Sequence, residues 1–228
     1  TKEKEIENAF LEWQKENSII LSPRQAEAVK NLKYRISIVT GGPGTGKTTC
    51  LRAIMDVYHK VWPSEHILLM APTGLAAKRM AESTGMNSAT IHKACGLVPA
   101  DNPSGFKAQG ECRICGFVGI DEMSMVGEHL FAFAVDAVLN SPSTRIVLLG
   151  DTDQLAPVSR GDVLRDLIEC GVIKTVRLDV NYRQGSTSTI TDASIKIREN
   201  RAYSGMTRNL RFDDEFNFMS VTDPDEKT

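Results

Sequence analysis

The reading starts from Gly41-Gly42-Pro43-Gly44-Thr45-Gly46-Lys47-Thr48-Thr49. It fits G-x-x-x-x-G-K-[ST], a loop that cradles phosphate with backbone N–H groups. The apolar run Ile36-Ser37-Ile38-Val39 precedes it and predicts a buried strand. Cys50, Leu51, Ile54, Met55 and Tyr58 follow at helical spacing. Strand, loop and helix in that order are what the motif requires. Gly42 to Gly46 let the chain wrap with its N–H groups inward, and the start of the helix adds partial positive charge. Lys47 is placed to reach the β- and γ-phosphates of a nucleoside triphosphate. The Thr48 hydroxyl is placed to ligate Mg²⁺, and Gly42, Pro43, Gly44, Thr45, Gly46, Lys47, Thr48 and Thr49 are the expected nucleotide-binding residues of the loop. ATP with Mg²⁺ is therefore the expected cofactor.

Working outward, an amphipathic helix is expected over residues 4–16, with Ile6, Phe10 and Trp13 on one face. Ser22, Pro23 and Gln25 then form a capping box for the next helix. Capping is the first role of Gln25. Adenine recognition is the second, because an amide offers both a donor and an acceptor. His66 to Ala71 reads as a second buried strand, broken by Pro72-Thr73-Gly74, with a helix from Leu75 to Ser83. Thr73 and Gly74 lie at a strand end, where open α/β sheets place ligands. They can offer a hydroxyl and a bare N–H to a phosphate. Thr90-Ile91-His92-Lys93 follows a turn.

Residues 97–115 are rich in turn formers and read as a short hairpin-like insertion, with Phe106-Lys107-Ala108 on one arm. Cys112 and Cys115 form a C-x-x-C without a second pair, so two ordinary thiols are expected rather than zinc. Phe117 to Ile120 is a strand that delivers Asp121 and Glu122 at its end. Adjacent carboxylates there are costly without a cation to serve. Asp121 is expected to help hold Mg²⁺, and Glu122 to activate water. A helix over 130–139 and a strand over 145–150 lead to Asp151-Thr152-Asp153-Gln154. Asp162 is expected to cap a helix reaching Cys170, and Thr175 to Leu178 is a further strand. Arg183 follows that strand within reach of a γ-phosphate.

Strands alternating with helices predict an α/β domain with a mainly parallel sheet. Hydrophobic residues make up 41% and charged residues 25%, and net charge is −2, so no global basic field points to nucleic acid. No apolar run approaches the roughly 18 residues of a membrane span. The five cysteines are scattered and odd in number. A reducing, cytoplasmic setting is the simple expectation.

Taken in order, several stretches resemble the first motor domain of superfamily-one DNA helicases, and within it the RecD-like family (exodeoxyribonuclease V alpha subunit). They are Leu21 to Gln25, Gly41 to Thr49, Ala71 to Met80, Thr90 to His92, Ile120 to Val126, Leu149 to Leu155 and Asn181 to Gln184. The resemblance implies a RecA-like P-loop NTPase domain working as an ATP-dependent 5′→3′ helicase or translocase. It implies that Gln25 reads adenine and that Thr73, Gly74, Thr90 and His92 fall on segments lining a single-strand track. It also implies that Gln154 couples ATP to DNA, that Arg183 is an arginine finger, and that the 97–115 insertion matches a duplex-splitting pin. Here that insertion is short, which leaves its strand-splitting role open. The implied partners are single-stranded DNA, a duplex junction and other subunits of a recombination or repair complex. The expected organisation is N-terminal helices over 1–34, a motor domain over 35–206, and a connection over 207–228 to a second motor domain. Two other readings stay open: a P-loop switch that ignores nucleic acid, and a non-catalytic nucleotide-binding module.

Overall fold

A computed structural model of the chain describes residues 1–102, 104–109, 116–139, 143–154 and 157–180. Arg183, Leu155, the Cys112/Cys115 pair and everything expected beyond residue 180 lie outside the described residues. Six strands form one sheet: β1 (Ile36–Gly41), β2 (Ile67–Ala71), β3 (Ser88–Thr90), β6 (Phe117–Ile120), β7 (Arg145–Gly150) and β8 (Lys174–Leu178). The order across it is β3-β2-β6-β7-β1-β8, and each recorded pairing is parallel. A separate antiparallel pair, β4 (Leu97–Pro99) and β5 (Phe106–Ala108), makes the expected hairpin.

Parallel strands need crossovers, and the helices supply them on both faces. One face is covered by α1 (Lys2–Asn17), α2 (Pro23–Lys30) and α3 (Lys47–Val61), through Phe10, Trp13, Val29, Leu51 and Ile54 against Val39, Leu149 and Val176. Trp13 Nε1 donates to Asp56 Oδ2 at 2.7 Å and ties α1 to α3. The other face carries α6 (Glu128–Leu139) and α7 (Val163–Glu169), through Ala134, Val138 and Leu164 against Ile38, Ile120 and Leu148. With both faces covered, β1, β6 and β7 are almost wholly buried. Their unbroken apolar runs are what made them legible. The strands β2 and β3 lead into α4 (Gly74–Thr84) and α5 (Ile91–Ala94).

Two local expectations change. The three residues of β3 lie between two helices and are too short to show a period-2 pattern, so sequence reading passed over them. Asp162 stands at the N-cap position of α7, but its side chain accepts no backbone N–H there. It pairs with Arg165 Nε at 3.0 Å instead.

Candidate functional site

Because the sheet is parallel, the loops after β1, β2, β3, β6 and β7 all leave from the same edge. The loop after β1 turns through Gly44 and Gly46, whose φ values of 77° and 87° are left-handed and suit glycine. Gly41 is required for another reason. A Cβ there would lie 2.6 Å from the Leu178 carbonyl of β8 and 2.7 Å from Thr45 Oγ1. Thr45 donates its hydroxyl to the Gly42 carbonyl at 2.8 Å and staples the loop from inside. Lys47 Nζ donates to the carbonyls of Gly41, 2.7 Å, and Gly42, 3.2 Å. No side chain caps the first turn of α3, whose N-cap is Gly46. Its N–H groups, with those of the loop, form a concave donor surface of the kind anions occupy.

The carboxylates approach from β6. Asp121 donates its N–H to the Met70 carbonyl of β2 at 2.9 Å, which fixes it at the strand end. Its Oδ1 accepts the Glu122 N–H at 2.8 Å. Glu122 sits at φ 54°, a left-handed conformation that a non-glycine residue adopts at a cost. The chain then enters a 3-10 turn over Met123–Met125. Burial pushes the Asp121 carboxyl above the usual range, against the pull of the Glu122 N–H and the Lys47 charge. Burial also raises Glu122, and the Asp121 charge beside it adds to the rise. Lys47 and Arg79 pull it down, and Asp151 pushes it up again. Carboxyls raised in this way suit a proton acceptor.

The third loop follows β7. Asp151 is buried and accepts the Asp153 N–H at 3.0 Å, while Gln154 N–H donates to the Asp151 carbonyl at 3.2 Å. Ser124, also buried, donates its hydroxyl to Gln154 Oε1 at 3.1 Å. The carboxylate loop and the glutamine loop are thus joined directly. Sequence reading named Gln154 but neither Asp151 nor Ser124 as site residues. Nothing in the local pattern pairs residues 30 positions apart.

Gln25 holds the capping box: its N–H donates to Ser22 Oγ at 3.2 Å, and its Oε1 accepts the Ser22 N–H at 3.1 Å. It is buried, and Cys50 in the first turn of α3 approaches its carbonyl through Sγ at 3.8 Å. Burial drives the Cys50 thiol up to about 12, so it is an inert packing group.

Thr73 caps α4, accepting the Ala76 N–H at 3.2 Å. Thr90 caps α5, accepting the Lys93 N–H at the same length. Both caps follow neighbouring strands at the same sheet edge: Ala71 of β2, two residues before Thr73, is in register with Thr90 of β3. A capping hydroxyl uses a lone pair, so each O–H is still available to donate. A Cβ on Gly74 would meet nothing within 4 Å, so that backbone is open to close approach. His92 follows Thr90 in α5. Its ring meets that of Phe106 in the hairpin, edge to face, at 4.5 Å.

Sheet order, loop and carboxylate pair together define a RecA-like P-loop α/β domain. A family model described as "AAA domain" matches residues 20–214, and the chain belongs to that family. It is similar to the ATP-dependent RecD2 DNA helicase of Deinococcus radiodurans, 36% identical over 176 residues, 76% of this chain and 23% of that one. It is also similar to the RecBCD enzyme subunit RecD of Mycolicibacterium smegmatis, 35% identical over 187 residues, 72% of this chain and 33% of that one. The chain therefore spans about a quarter to a third of the length of these relatives. In fold it resembles the Pif1 helicase of Candida albicans, with a TM-score of 0.60 and 24% identity over 82% of this chain and 46% of that one. Within the family its likeness is to RecD-like motor domains. Among the described residues no helix is long and apolar enough to cross a membrane.

Proposed function

We propose that this chain is the ATP-hydrolysing first motor domain of a RecD-like DNA helicase that moves 5′→3′ along a single strand. One observation carries the reading. The Ser124–Gln154 hydrogen bond joins the loop bearing Asp121 and Glu122 to a glutamine loop at the same sheet edge as the phosphate loop and the Thr73 and Thr90 caps. Such a bond gives a nucleotide site a mechanical link to its surroundings.

In this reading Gly42 to Thr49 hold the triphosphate, Gln25 faces the adenine, and Lys47 offsets phosphate charge. Glu122 takes a proton from the attacking water, and Arg183 adds charge to the γ-phosphate. Thr48 and Asp121 offer hard oxygen donors, which fit Mg²⁺ shared with phosphates. Bound Mg²⁺ would supply charge neutralisation at the phosphates. Thr73, Gly74 and Thr90 are the proposed strand contacts, through hydroxyl and backbone donors. The M. smegmatis relative is named as a RecBCD subunit, so other subunits of a repair complex are proposed partners. The inferred compartment is the cytoplasm.

The test is ATP turnover by the full-length protein with and without single-stranded DNA. Strong stimulation is expected, and Glu122→Gln should bind ATP yet hydrolyse almost none. Turnover indifferent to DNA would replace the helicase reading with a P-loop switch.

A further inference from the structure

The β4–β5 hairpin stands apart from the main sheet, so something must set its direction. Its tip is satisfied internally. Ala100 N–H donates to the Gly105 carbonyl at 3.0 Å and Gly105 N–H to the Asn102 carbonyl at 2.9 Å. Asn102 Nδ2 and Ser104 Oγ both donate to the Phe106 carbonyl, each at 2.9 Å. A tip closed on itself leaves the orientation of the hairpin to its contacts with the rest of the domain.

At the root the two arms close on each other and meet the core. Gln109 N–H donates to the Gly96 carbonyl at 2.9 Å, and Leu97 packs against the core. At the other end of β5, next to the tip, the His92–Phe106 ring pair ties the hairpin to α5, with planes at 71° and centroids 4.5 Å apart. Phe106 opens β5 opposite Pro99, so a ring fixed there fixes both arms. His92 lies in α5, the helix that Thr90 caps. Among the described residues the nitrogens of His92 make no hydrogen bond, and its ring packs on Phe106.

We infer that His92 is a positioning residue: its ring locks the β4–β5 hairpin to the helix that starts at Thr90, so that strand contact and hairpin move as one lever. The inference rests on the helicase reading and changes the role expected for His92 within it, from touching the strand to aiming the hairpin. An edge-to-face pair needs a ring, not a polar nitrogen. Imidazole and phenyl are therefore interchangeable in this role, whereas a strand contact through nitrogen is not replaced by phenyl.

The experiment uses the full-length protein, a forked DNA duplex and an oligothymidylate. Unwinding rate and oligothymidylate-stimulated ATP turnover are measured for wild type, His92→Ala, His92→Phe, Phe106→Ala and the His92→Ala/Phe106→Ala double variant. His92→Ala and Phe106→Ala should each slow unwinding by about two- to tenfold, the worth of one aromatic pair, with stimulated turnover less affected. The double variant should unwind no worse than either single one, because both remove the same contact. His92→Phe should restore unwinding. The proposal is overturned if His92→Phe is as defective as His92→Ala, or if stimulation and unwinding fall together in His92→Ala alone. A wild type whose turnover ignores oligothymidylate overturns the helicase reading itself, and this inference with it.

Discussion

Glu122 carries two costs at once. Its backbone is left-handed without being glycine, and its carboxylate is half-buried beside another. Neither helps the fold, and costs of this kind collect where chemistry is done. The same logic gives a stability prediction at Asp121. Burial raises its folded pKa, so the stability associated with its protonated form is present at acid pH and is lost as pH rises through the raised value. Asp121→Asn removes that loss. In the absence of Mg²⁺ and nucleotide it should match or exceed wild type in melting temperature at neutral pH. That contrasts with the deficit of about 1 kcal/mol typical of a point substitution. The gap should close as pH falls below the ordinary carboxylate range, and thermal melts across pH check this. The identity of this pair could be read from sequence, since adjacent acids ending an apolar run are conspicuous. The turn that presents them could not, because left-handed φ at a glutamate has no compositional sign.

At the scale of elements, short-range chemistry was the legible part. The Ser22–Gln25 capping box, the phosphate loop between β1 and α3, and the Phe106 arm of the hairpin each depend on residues a few positions apart. Links between elements were not legible. The junction of the carboxylate and glutamine loops rests on the Ser124 hydroxyl and the Gln154 amide, whose meeting is decided by β6 and β7 lying side by side. Ser124→Ala should keep ATP affinity and lower DNA-stimulated turnover by about two- to tenfold, the usual worth of one net hydrogen bond. Nucleotide binding and turnover measured on one preparation would check it. Loss of both together would make Ser124 a packing residue only.

For the whole molecule, alternating strands and helices pointed to a parallel α/β fold, but strand order was out of reach. Nothing local says that β1 lies between β7 and β8. Net charge of −2 and the hydroxyl and backbone donors at Thr73, Gly74 and Thr90 make one electrostatic prediction. Single-strand binding by this chain should weaken only shallowly with salt, with a log–log slope no steeper than about −1.5, as for two displaced counterions. Titrations at several salt concentrations give that slope, and a much steeper one would bring in basic side chains such as Lys78, Arg79 and Lys93 on the helices that Thr73 and Thr90 cap. The place of β1 has a further consequence, in time rather than space. Its two neighbours begin at Arg145 and Lys174, so the strand that carries the phosphate loop is made early and completed late. At ribosomal speeds the last of these partners is synthesised roughly 7–30 s after Gly41. Through that interval an apolar strand waits without its full set of hydrogen-bonding neighbours, so nascent chains halted before β8 should be the most dependent on chaperones.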